Sequence, residues 1–144
     1  MDGVFITAGD KELFKKSRIA KILCTTPRVG LNMINESGIF LDGLIGSNLD
    51  PGEVFSLNEL RSKPRFVIKT EGENGGIVLP GGRYKAIKNK KNKVDSYGCG
   101  DSFAAGILYG LSSNLNIEES LNIAKILGRN CSEHFGPYKN DNKL

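Results

Sequence analysis

Histidine and cysteine are scarce in this sequence. The one histidine, His134, sits near the end of a predicted helix. There it reads as a partner for the helix dipole, and no catalytic role is expected of it. The three cysteines, Cys24, Cys99 and Cys131, are an odd number without framework spacing. That excludes a disulfide scaffold and reads as free thiols in a reducing compartment, with Cys24 and Cys131 as small core residues. No apolar run is long enough to span a bilayer, and the N-terminus lacks the basic-then-apolar pattern of a secretory signal. The expectation is a cytoplasmic protein with no membrane partner. Repeats and low-complexity linkers are absent too. The lysines of the 85–93 stretch lack interleaved aromatics beyond Tyr84, so they read as a solvated hairpin edge and not as a nucleic-acid surface.

What is present is ordinary for a globular chain. The 144 residues, 25% charged and 39% hydrophobic, suit one domain over 1–144 with a real core. The net charge of +4 is modest and suits an anionic ligand such as a nucleotide.

Short apolar runs alternate with helical patterns. Strands are expected at Val4–Thr7, Ile22–Thr25, Leu41–Ile45 and Phe66–Thr70. Helices are expected over 11–21, with Asp10 as cap and Leu13, Phe14, Ser17 and Ala20 on one face, over Leu31–Glu36 ended by Gly38, and briefly over Ser56–Leu60. This alternation argues α/β, a mostly parallel sheet with crossover helices. Residues 75–80 and 83–87 around Gly81-Gly82 read as an appended β-hairpin. Two helices close the chain, one from about Asp101 to Ser112 and one from about Ile117 to Glu133. The tail from Lys139 reads as frayed.

The most informative stretch is 95–106, Asp-Ser-Tyr-Gly-Cys-Gly-Asp-Ser-Phe-Ala-Ala-Gly. A Gly-x-Gly turn that runs into a helix presents bare backbone N–H groups and the positive end of the helix dipole, which together form an anion site. A carboxylate at the same helix mouth, Asp101, would repel an anion. It makes sense if it takes a proton from a nucleophile that attacks a phosphate held there. Either Gly98 or Gly100 is expected to adopt angles open only to glycine, or to let a phosphate approach closely. Cys99 as a thiolate nucleophile is disfavoured, because no histidine lies nearby in sequence.

Residues 94–103 resemble the C-terminal signature of the ribokinase-like sugar kinases, the phosphofructokinase-B family: an Asp, two residues often Thr, then Gly-Ala-Gly-Asp-Ser/Thr-Phe. Residues 70–75, Thr-Glu-Gly-Glu-Asn-Gly, are similar to the family's Thr-x-Gly-x-x-Gly. The resemblance implies a three-layer α/β/α sandwich and covers the C-terminal half of a typical member. It implies Asp101 as catalytic base and Gly98, Cys99 and Gly100 as the anion hole. Thr70, Gly72 and Gly75 would border ATP, although both glycines also suit a plain strand-to-hairpin turn. Lys125 falls beside the adenine position. Asp95 and Gly136 fall near a loop for a monovalent cation such as K+. Two departures, Tyr97 for Thr and Cys99 for Ala, remove no backbone N–H. A larger departure is Ser47-Asn48-Leu49-Asp50 where the family has Asn-x-x-Glu, whose acid acts on Mg2+ through water. Asp50 keeps the charge on a shorter arm, and Glu53 is a nearby substitute.

The expected function is ATP-dependent transfer of a phosphoryl group to a hydroxyl of a sugar or related small molecule. Nucleosides and vitamin-like alcohols also remain open as acceptors. A dinucleotide oxidoreductase would need its glycine turn after the first strand, and here the turn comes late. A non-catalytic nucleotide-binding or regulatory protein would keep the glycines without needing Asp101. Val4–Thr7 reads as an interior strand yet starts almost at residue 1. The expectation is therefore a fragment that lacks the acceptor-and-lid half, or a chain that completes its sheet by self-association.

Overall fold

Four short strands run parallel, side by side in chain order: β1 (Gly3–Ile6), β2 (Ile22–Thr25), β3 (Gly43–Ser47) and β4 (Phe66–Thr70). β5 (Gly76–Leu79) and β6 (Gly82–Tyr84) add an antiparallel hairpin beside β4, giving a mixed six-stranded sheet with β1 at one edge. The computed structural model describes residues 2–88 and 92–135. The chain forms two compact units, 1–86 and 87–144.

In the first unit the strands alternate between two apolar faces. One face carries Ile6, Leu23, Leu44 and Val67, and it forms a core with Phe14 of α1 (Lys11–Ser17), Ile34 of α2 (Leu31–Ser37), Phe55 and Leu60. Burying each such side chain contributes about 1.5–3 kcal/mol. Cys24, Ile45, Phe66 and Ile68 alternate with the first set and are buried as well. Strands covered on both faces read as unbroken hydrophobic runs, as these do.

The caps are as the residues dictate. Asp10 accepts the Leu13 N–H at 2.9 Å, and Gly38 closes α2 with a left-handed φ of 65°. The brief helix at Ser56–Leu60 is a 3-10 turn over Leu57–Glu59, held by a capping box between Ser56 and Glu59.

Several boundaries differ from the sequence reading, two of them at α1 and β3. α1 ends at Ser17 instead of running to residue 21, and Leu13 is 41% exposed instead of packed. β3 begins at Gly43, not Leu41. One long-range cluster accounts for both. The Arg18 guanidinium donates to the carbonyls of Ala20 (2.6 Å) and Phe40 (2.8 Å) and pairs with Asp42 at 2.9 Å. The buried Asp42 carboxylate in turn accepts the Leu23 N–H at 2.8 Å. The chain must leave the helix at Arg18 and delay the strand until Gly43 to make these bonds. β6 is also shorter than the expected 83–87, ending at Tyr84.

The second unit holds α3 (Cys99–Ser112) and α4 (Ile117–Ser132), which pack closely against each other. The capping box between Asn116 and Glu119 starts α4, and Asn114 turns the connection with a φ of 63°. Glycines set the spacing. A Cβ on Gly106 would lie 2.6 Å from the Ala124 Cα, and one on Gly110 would lie 2.7 Å from the Ser120 Cα.

Candidate functional site

The anion-type turn forms as its residues require. Gly98 caps α3 with φ 76° and ψ −1°, a left-handed conformation that favours glycine. The Ser102 N–H closes the first helical turn on the Gly98 carbonyl at 2.9 Å, and the Cys99 N–H donates to Ser96 at 3.2 Å. Among the described residues the N–H groups of Gly98, Gly100 and Asp101 meet no acceptor. A left-handed residue followed by right-handed ones, with unspent N–H donors at a helix start, is a concave anion cradle. Gly100 does not have a positive φ, and a Cβ there would meet nothing within 4 Å. Of the two glycines, then, Gly98 is required by backbone geometry. Gly100 leaves open space beside the donors. Asp101 stands exposed in the first turn of α3.

The segment before the turn is held firmly. Asp95 Oδ1 accepts the Tyr97 N–H at 3.0 Å. The Val94 and Asp95 N–H groups donate to the Ser132 carbonyl at 2.8 and 3.4 Å, and the Cys131 thiol donates to the Tyr97 carbonyl at 3.4 Å. Burial, followed by contact with Cys131, pushes the Cys99 thiol up to about 12, opposite to the shift a helix-mouth nucleophile needs. Lys125 lies half-buried on α4. Gly136 lies outside the described residues.

The first unit gathers the other candidates at the carboxyl ends of β3 and β4. The Asn48 N–H donates to the Thr70 carbonyl at 2.9 Å, and the Thr70 hydroxyl donates to the Gly46 carbonyl at 3.4 Å. Gly72 opens a 3-10 turn with φ 59°. Gly75 closes it with φ 86°, and a Cβ there would lie 2.0 Å from the Tyr84 carbonyl oxygen. Gly75 therefore has a demonstrated part in shaping the turn into the hairpin. Glu71, just before Gly72, accepts from the Asn48 amide at 3.0 Å and pairs with Arg83.

Asp50 and Glu53 share one guanidinium. Arg28 pairs with Asp50 and, at 3.1 Å, with Glu53. Gly52 N–H donates to Asp50 Oδ1 at 2.9 Å, and Ser47 N–H donates to Glu53 Oε2 at 2.6 Å. Every one of these carboxylate oxygens already has a partner, and no group of three or more metal-ligating side chains is assembled among the described residues. The residues present do not fit a directly ligated magnesium, because Arg28 supplies the positive charge that a metal would bring.

Arg28, Glu71 and Arg83 were not singled out from sequence. Their partners lie 22, 23 and 12 residues away, beyond any local spacing rule. For Arg28 and Glu71 the available signal was their position just after the parallel strands β2 and β4, where α/β sheets bind ligands; Arg83 lies within the antiparallel β6. Among the described residues no helix is long and apolar enough to cross a membrane.

Residues 48–143 match the model of the pfkB family carbohydrate kinases. Acarbose 7(IV)-phosphotransferase of Actinoplanes sp. is 37% identical over 73 residues, 47% of this chain and 24% of that protein. The nucleoside kinase of Methanocaldococcus jannaschii, an archaeal member of the ribokinase family, superposes with a TM-score of 0.76 at 20% identity, covering 97% of this chain and 52% of that one. Ribokinase of Thermotoga maritima superposes with a TM-score of 0.73 at 16% identity, covering 94% and 52%. The chain thus spans about a quarter of the curated relative and about half of each solved chain. The fold is α/β of the ribokinase-like type, and the chain belongs to the pfkB family of carbohydrate kinases.

Proposed function

We propose that this chain binds the phosphates of ATP at Gly98–Asp101 and serves the transfer of the γ-phosphoryl group to a hydroxyl of a sugar or related small alcohol. The observation that carries this reading is the left-handed Gly98 turn with unspent N–H donors at Gly98, Gly100 and Asp101, set beside an exposed carboxylate. Family membership supports it, as does a relative named as a phosphotransferase that acts on acarbose.

In this scheme ATP supplies the phosphoryl group and ADP leaves. Asp101 accepts the proton of the acceptor hydroxyl as its oxygen bonds to the γ-phosphorus and the bond to the β–γ bridging oxygen breaks. The N–H donors stabilise the negative charge on the transferred group, so the chemistry is mainly positioning and electrostatics. Thr70, Gly72 and Gly75 are assigned to the nucleotide phosphates and ribose, Lys125 to the adenine, and Asp95 and Gly136 to a monovalent-cation loop. These assignments rest on the family's pattern. Residues 1–144 together are taken as a nucleotide-binding and catalytic portion.

Thermal shift with ATP, ADP and NAD, each with and without magnesium, tests the reading. ATP and ADP should stabilise the protein and NAD should not. Gly100→Val should fold, because its side chain enters open space, and should lose the nucleotide shift. A folded Gly100→Val protein with the parent's ADP affinity would mean that the turn is only structural.

A further inference from the structure

α3 and α4 run antiparallel along a seam with a regular register. Gly110 faces Ser120, Gly106 faces Ala124, and Phe103 faces Gly128. Stepping one turn further puts Cys99 opposite Cys131, and the Cys131 thiol reaches the Tyr97 carbonyl, two residues before Cys99, at 3.4 Å. Glycine brings the helix backbones close at both Gly106 and Gly110, and the Cys99 carbonyl lies 3.6 Å from a Cβ built on Gly128. A disulfide needs its two Cα atoms about 4.4–6.8 Å apart, and a close approach of the two helix backbones favours that spacing. Both cysteines are free thiols.

We infer that Cys99 and Cys131 form a reversible redox pair, a site of disulfide modification that ties the phosphate turn to the end of α4. Cys99 is partly exposed and Cys131 is buried, which fixes the order of events. With oxidised glutathione, the Cys99 thiolate attacks one sulfur of the reagent and releases one glutathione thiol. The Cys131 thiolate then attacks Cys99 sulfur in the mixed disulfide and releases the second. Two protein thiols are oxidised, one disulfide reagent is reduced to two thiols, and the two thiol protons pass to the released thiolates. The high thiol value at Cys99 makes formation slow at neutral pH and faster as pH rises, because the thiolate is the attacking species.

The bond would reach the phosphate turn directly. In the reduced protein the Cys99 thiol donates to the Asp95 carbonyl at 3.8 Å and the Cys131 thiol donates to the Tyr97 carbonyl at 3.4 Å. Oxidation removes both donors from the segment that leads into Gly98. The expected weakening of nucleotide binding rests on the proposed function; the disulfide itself does not.

The test is to treat the reduced full chain with oxidised glutathione at pH 8.5 and digest it under non-reducing conditions for mass spectrometry. The expected product is a Cys99–Cys131 linked peptide two hydrogens lighter than the sum of its parts, reversed by dithiothreitol, with fully buried Cys24 left as a thiol. Cys131→Ser should instead stop at a persistent glutathione adduct on Cys99. A persistent adduct on Cys99 in the parent protein, a linkage that uses Cys24, or no reaction at Cys99 would overturn the inference. ADP thermal shift of reduced and oxidised protein reads the second consequence, and oxidation should diminish the shift. A reduced protein that shows no ADP shift counts against the phosphate reading, while the linked peptide still decides the disulfide.

Discussion

Gly106 lies against Ala124 so closely that a Cβ on Gly106 would fall 2.6 Å from the Ala124 Cα. The relation repeats one turn on, where Gly110 meets Ser120. Glycine costs a helix about 1 kcal/mol relative to alanine, so these positions give up helix propensity in exchange for close packing.

Gly106→Val should therefore push α3 and α4 apart and destabilise the protein by about 1–3 kcal/mol, the usual cost of overpacking. A melting temperature equal to the parent's would show that the seam is loose.

A second expectation concerns the Arg18–Asp42 pair. Asp42 is buried, with its carboxylate shared between Arg18 and the Leu23 N–H. Asp42→Ala leaves a half-buried guanidinium and a buried N–H without their partner. The loss should be roughly 3 kcal/mol, the lower end for a broken buried pair, because Arg18 keeps some access to water. Denaturant unfolding checks it, and a loss well under 1 kcal/mol would contradict the account of why α1 stops at Ser17.

The fold was legible where local rules govern. Phe66–Thr70, the hairpin, the closing helices, the Asp10 cap and the Gly38 stop all follow from periodicity and capping. Elsewhere tertiary partners decided. Arg18 ends α1 because of Asp42, 24 residues on, and no window of helical periodicity contains that information. The candidate site divides the same way. The Gly98–Asp101 turn was visible because a glycine turn and a helix start are local. The Arg28 clamp on Asp50 and Glu53, and the facing of Cys99 and Cys131, depend on which segments the fold brings together.

Acid should weaken the β4–β5 turn through Glu71. Hydrogen bonds from Arg83 and Asn48 hold its carboxyl below the ordinary 4.5. A depressed carboxyl contributes stability above the unfolded value and loses it as pH falls through the lower folded value. Unfolding measured downward from pH 6 should show extra loss below about pH 4.5 in the parent, and a shallower slope in Arg83→Met. Parallel slopes would mean that the exposed pair contributes nothing measurable.

Phosphoryl transfer by Asp101→Asn is the most direct measurement. The substitution keeps the shape of the helix mouth and removes the proton acceptor. With γ-phosphate-labelled ATP and a panel of sugars, turnover should fall by roughly 10²–10⁴-fold relative to the parent, while ADP affinity measured by calorimetry stays within about twofold. Transfer at the parent rate by the Asp101→Asn protein would contradict the assignment of the base, and with it the proposed chemistry of this site.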